Sequence, residues 1–133
     1  MHRTRGFNLL ELMISLAIIT TLATIAYPAY QDHLIAVRRS DGQTALMHLA
    51  ALMEQYYTEN NTYIGATLRK VGLVSPASPA GFYQLNITTH TATTYSLIAA
   101  PTPGGPQMAD VACGTLTLTN TNIKGPDPNI CWN

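Results

Sequence analysis

The chain has little charge. Of its 133 residues, 7 are Lys or Arg and 7 are Asp or Glu, so formal net charge is zero. No global field therefore selects a polyanion or an anionic membrane as partner. Cysteine is scarce too, at 2 residues, with no CxxC pair and no clustered histidine beside them. That removes the usual zinc patterns, and no metal or cofactor is expected. HExxH, GxSxG, the phosphate-binding loop and the dinucleotide fingerprint are all missing. His33, His48 and His90 are scattered, the first two fifteen residues apart. No spaced constellation of nucleophile, base and orienting group remains, so catalysis is not expected.

What is present begins at the N-terminus. From Phe7 to Gln31 the only charge is Glu11, and residues 12 to 31 are an uncharged run of 20. A helix needs about 20 apolar residues to cross a bilayer. Three readings compete. The first is a plain transmembrane anchor. The second is a secretory signal removed whole, which would have an apolar region of about 7–15 residues and a small-residue cleavage site. Here the run is longer and leads into Pro28 without a clear A-x-A site. The third keeps the apolar segment and cuts before it, after Gly6.

The third reading explains Glu11. A carboxylate in an apolar helix costs about 2.5–3.5 kcal/mol even on a lenient insertion scale. Cleavage after Gly6 creates a positive α-amino group on Phe7, about one helical turn from Glu11. The carboxylate could instead meet the amine of a neighbouring chain, or simply reach the interface. Gly6 has no side chain to obstruct a protease. Arg3 and Arg5 hold that end cytoplasmic by the positive-inside rule. Removing residues 1 to 6 leaves five Lys/Arg against seven Asp/Glu.

The segment RGFNLLELMISLAIITTLATIAYPAYQD closely resembles the N-terminus of type IV pilins. The shared pattern is a short basic leader, Gly6, Phe7, a carboxylate four residues later, about twenty apolar residues, and Pro28 near their end. Asn8 replaces the usual Thr or Ser, and Leu10 a common Ile. The resemblance implies cleavage between Gly6 and Phe7 by prepilin peptidase, N-methylation of Phe7, and docking into a fibre guided by Glu11. It implies other pilin subunits and an inner-membrane assembly platform as partners. The location implied is the inner membrane first, with the N-terminus cytoplasmic, and the extracellular pilus afterwards. The C-terminal ACGTLTLTNTNIKG…CW further resembles the PilE-type minor pilins.

The domain organisation that follows is a leader over 1–6, a membrane or fibre-core helix half over 7–31, and a globular part over 32–133. After Pro28 the rhythm stays helical. Leu34, Val37, Ala45, Leu49, Leu52 and Tyr56 recur at spacings of three and four, widened by Leu46 and Met53. Arg38, Arg39, Gln43 and Glu54 fall on the polar face and are expected in water. Pro28 predicts a kink. Gly42 is a weak point worth about 1 kcal/mol against Ala. The helix should end near Asn60 and Asn61.

Residues 58 to about 81 read as loop, with a short helical or extended piece around Thr67 to Val71. Then the period becomes two. Tyr83, Leu85 and Ile87 alternate with polar residues, as do Tyr95, Leu97 and Ala99, and Leu116 and Leu118. A short turn is expected around Thr89 to Ala92. The predicted class is α+β: a long N-terminal helix packed on an antiparallel sheet of three to four strands.

Outside the cytoplasm, Cys113 and Cys131 read as a disulfide around the 17 residues from Gly114 to Ile130, with a metal site as the rival. Closing such a loop contributes about 3 kcal/mol in the chain-entropy model. The expected function is a structural pilus subunit, serving pilus biogenesis, twitching, adhesion or DNA uptake. Two alternatives stand beside it. One is a pilus-displayed DNA receptor, with Arg69, Lys70 and Lys124 as sparse phosphate contacts. The other is a type II secretion pseudopilin, which the cysteine pair argues against.

Overall fold

The computed structural model describes residues 6–132. Residues 1–5 of the expected leader, with Arg3 and Arg5, lie outside the described residues. The chain divides into two compact units, Met1–Leu34 and Ile35–Asn133, and one helix, α1 (Leu9–Asn60), runs through the boundary.

In the first unit, Asn8 starts the helix. Its side-chain oxygen accepts from the Leu10 N–H at 3.4 Å, and its carbonyl accepts from Leu12 at 3.1 Å. Asn, Ser and Thr all serve as N-caps, so Asn8 does here what a Thr or Ser would do. Every residue from Leu9 to Tyr30 is exposed. Six residues in this run carry hydroxyls that must be hidden if the helix enters lipid. Ser15, Thr20, Thr21 and Thr24 each donate to a backbone carbonyl three or four residues earlier, at 2.7–3.0 Å. The other two are the phenols of Tyr27 and Tyr30. This back-bonding satisfies the aliphatic hydroxyls without water. Pro28 lies inside α1 and supplies no N–H.

In the second unit the rest of α1 covers a four-stranded antiparallel sheet of order β1-β2-β3-β4: β1 (Tyr83–His90), β2 (Tyr95–Pro101), β3 (Leu116–Thr119) and β4 (Lys124–Gly125). Period-two alternation built the first three. Tyr83 and Leu85, then Tyr95, Leu97 and Ala99, then Leu116 and Leu118 face the helix and are buried. The two-residue β4 is too short to show a period. The β1–β2 turn closes at Thr91 and Thr94, two residues later than expected, because β1 extends to His90 through a register shift between Ile87 and Thr89.

The helix stripe holds its expected place from Ala45 to Tyr56, with Leu52 and Tyr56 partly buried against the core, but not at Val37. Leu46, Leu49 and Met53 are fully buried with Ala45 and Gly42, whereas Val37 is 53% exposed. Gly42 is not a weak point left by chance. A Cβ there would stand 2.8 Å from the Tyr83 ring, so the absence of a side chain lets the ring lie against the helix. The loop between α1 and β1 also enters the core. Tyr63, Ala66 and Val71 are buried, and Tyr63 meets Tyr57 and Tyr95 at ring-centroid distances of 4.6 and 4.9 Å. At the C-terminus, a 3-10 turn (Pro106–Ala109) and a short α2 (Pro128–Cys131) flank the cysteines.

Candidate functional site

Two surfaces can carry function: the bare helix of the first unit and the outer faces of the second. On the helix, Glu11 sits in the first turn of α1 and is exposed. A carboxylate there complements the positive end of the helix dipole. Phe7 is 77% exposed and precedes the helix, since α1 begins at Leu9. In the uncleaved chain Phe7 therefore stands before the helix and Glu11 within its first turn. Gly6 is exposed, with nothing within 4 Å of where a Cβ would lie.

Cys113 and Cys131 are bonded and buried. The bond alone does not hold the C-terminal loop, because α1 grips it with polar side chains. Arg39 donates from Nε and Nη2 to the two carboxylate oxygens of Asp110, both at 2.8 Å, and from Nη1 to the Ile130 carbonyl at 3.1 Å. Gln43 donates to the Cys131 carbonyl at 2.7 Å. Arg39 and Gln43 were expected in water; instead they face the domain. Amphipathic patterning sorts residues by polarity and cannot reveal a buried polar partner on another element. The Asp110 side chain is only 2% exposed, and that of Arg39 13%. The Arg39 guanidinium is held above its ordinary pKa, chiefly by the Asp110 hydrogen bond and against the effect of burial. Gln107, also buried, donates to the Tyr83 hydroxyl at 2.9 Å and to Asp110 at 3.1 Å. Asp127 caps α2 by accepting from the Asn129 and Ile130 N–H groups.

The three cations proposed for phosphate contact do not form one patch. Lys124 stands on β4, its ammonium 5.2 Å over the Trp132 ring, at one edge of the sheet. Arg69 and Lys70 are exposed in the α1–β1 loop, which bridges through Ala77 to Gln84 at the opposite edge. Lys70 shares a shallow depression with Gln55, Tyr56 and Glu59. Lys124 belongs with the tail that Gln43 holds. From Gln43 to Tyr56 is about 20 Å along a helix. Among the described residues no group of three or more His, Cys, Asp or Glu could hold a metal ion.

Comparison with known proteins agrees with this geometry. A family model described as type IV minor pilin ComP, DNA uptake sequence receptor, matches residues 28–117. The prokaryotic N-terminal methylation motif matches residues 1–27. The major component PilA4 of the type IV wide pilus of Thermus thermophilus is 28% identical over 98% of this chain and 99% of its own. The fimbrial protein EcpC of Eikenella corrodens is 30% identical over 91% of this chain and 77% of its own. Among solved structures, a type IV pilin from Shewanella oneidensis is 29% identical with a TM-score of 0.54, covering 74% of this chain and 98% of its own. The non-core minor pilin PilV of Neisseria meningitidis, at 22% identity, shares the fold with a TM-score of 0.57 over 70% of this chain and 86% of its own.

Proposed function

The chain belongs to the family of type IV minor pilins, and on that premise we propose that Glu11 sets the register in which it docks into the filament. As a pilin it is a structural subunit, anchored in the membrane by its N-terminal helix and assembled into an extracellular pilus. The observation that carries the proposal is the helix itself: fully exposed from Leu9 to Tyr30, with one carboxylate in its first turn. Before assembly lipid covers that surface, and Glu11 reaches water at the membrane's edge. In the fibre, neighbouring helices cover it and that escape is lost. The amine of Phe7, freed by prepilin peptidase after Gly6 and then methylated, is the group able to neutralise Glu11, within one subunit or between two. A subunit docked one turn too high or low leaves both charges stranded. An unpaired buried charge costs about 3–5 kcal/mol. Contacts of this head-to-tail kind do not close into a ring, so they propagate as a filament.

The test compares subunit content in sheared pili with content in the membrane fraction. Glu11→Ala should insert, be cleaved and fold, yet incorporate poorly, with Glu11→Asp intermediate. Equal incorporation of wild type and Glu11→Ala refutes the register role.

A second reading, a DNA receptor displayed on the pilus, is favoured by the family match over residues 28–117. With Arg69 and Lys70 in the α1–β1 loop and Lys124 apart on β4, each place offers DNA few phosphate contacts. Affinity for a duplex should then fall with salt at a slope of about 0.9 per phosphate neutralised. Arg69→Ala with Lys70→Ala should lower that slope by nearly two; an unchanged slope assigns those residues to solvated surface.

A further inference from the structure

The second unit leaves three large apolar side chains bare around one guanidinium. Val111 is 90% exposed, and Met108 and Ile130 are each 59% exposed. Asp110, which precedes Val111, and the Ile130 carbonyl both bind Arg39. Gln107, which precedes Met108, donates to the Ile35 carbonyl at 3.2 Å. Single exposed apolar residues need no explanation, but a group gathered in one place marks a contact surface.

Chain length limits how far this group can stand from the bilayer. The uncharged run ends at Gln31, and Ile35 is four residues further on. Four residues span at most about 14 Å when fully extended, and about 6 Å in a helix. The headgroup layer on each side of the hydrocarbon is about 5–8 Å thick. A tether this short lets the three side chains approach that layer. Trp132 follows Ile130 by two residues, with the Lys124 ammonium above its ring. Tryptophan is enriched at headgroup level, and a long basic side chain reaches its charge into water there. The Arg39 guanidinium is paired with Asp110 and the Lys124 ammonium is placed over that ring, so apolar insertion rather than attraction to anionic lipid is the expected source of binding.

We propose that in the anchored monomer Met108, Val111 and Ile130 insert into the lipid headgroup layer beside the subunit's own anchor. They hold the globular unit against the bilayer until assembly lifts it away. This rests on membrane anchorage and not on the Glu11 register, and it is read before any fibre forms.

Trp132 is the only tryptophan in the chain, so it reports directly. The full chain is placed in phosphatidylcholine vesicles containing a small fraction of lipid with a nitroxide on its headgroup, and Trp132 fluorescence is measured. Strong quenching is expected for the native chain. A several-fold smaller effect is expected for Val111→Asp combined with Ile130→Asp. Both positions are exposed, so the variant should keep its fold; resistance of the disulfide to thiol labelling under native conditions verifies this. Met108→Asp, carrying a single charge, should lie between. Quenching equal in native and variant chains, or absent from both, overturns the proposal. So does a variant that is quenched like the native chain but lost from pili, which would assign the group to a neighbouring subunit.

Discussion

Replacing Gly42 by Ala sets two effects against each other. Helix propensity alone favours Ala by about 1 kcal/mol. Packing opposes it. A Cβ at this position would lie 2.8 Å from Tyr83 Cδ2, 2.9 Å from Cγ and 3.0 Å from Cε2. Carbon atoms in ordinary contact are about 3.5–4.0 Å apart, so the new methyl overlaps the ring. The ring has little freedom to withdraw. It is fully buried, its hydroxyl is held by Gln107, and its backbone N–H and carbonyl are both bonded to Ser78. Because the overlap includes Cγ, the stem of the side chain, rotation about the ring axis does not relieve it. Overpacking of this kind costs about 1–3 kcal/mol. With the upper half of that range set against the propensity gain, the net effect is a loss of about 1–2 kcal/mol. In a unit of about 100 residues, each kcal/mol lowers Tm by about 4–8 °C. Near-UV circular dichroism of the full chain in detergent micelles, followed through thermal unfolding, reads the change. The cost of Gly42→Ala should shrink when Tyr83 is also replaced by Leu, a coupling expected only if the two touch. A higher Tm for Gly42→Ala would show that propensity governs this position and would refute the packing argument.

Two further outcomes are expected. Arg39→Gln strips the buried Asp110 carboxylate of its main partner and should destabilise the second unit by about 3–5 kcal/mol in urea unfolding; a loss below about 1 kcal/mol would show that the Gln107 and Cys113 N–H donors suffice. Alkaline pH should loosen the tyrosine cluster. Burial, and secondly the hydrogen bond to Glu54, push Tyr63 up to about 12 from 10, and burial raises Tyr95 as well. A phenol whose pKa is higher when folded stabilises fully below the unfolded value. The stability from Tyr63 is therefore intact below about pH 10 and is lost as pH rises from there through about 12. Tyrosinate absorbance should show late-ionising phenols in the native chain, and their ionisation at the free-tyrosine pH would contradict this.

The helix, three of the strands and the cysteine pair were legible because each is a local signal. An apolar run long enough to cross a bilayer is visible in any window of the chain. So are a spacing of three and four, and an alternation of two from Tyr83, from Tyr95 and from Leu116. The N-terminal methylation motif over residues 1–27 was legible for the same reason, since it lies in the order of neighbouring residues. Even Asn8, a departure from the usual residue, keeps the capping chemistry that its position needs.

Contacts between distant parts of the chain left no such trace. Arg39 and Asp110 stand 71 residues apart, and neither is apolar, so polarity alone sends both to the surface. Only the packed structure gives each the partner that makes burial tolerable. Gly42 reads as a helix weakness until Tyr83 is laid against it. Tyr63, Ala66 and Val71 follow no period, yet the loop carries them into the core. Arg69, Lys70 and Lys124 carry like charge, but folding puts the first two in the loop beside the end of α1 and the third on β4 over Trp132. The sequence by itself determined which segments are helix, strand and membrane anchor, because backbone geometry repeats over a few residues. Tertiary structure alone decided which polar groups are buried and which cations are neighbours, because those depend on residues the chain brings together only by folding.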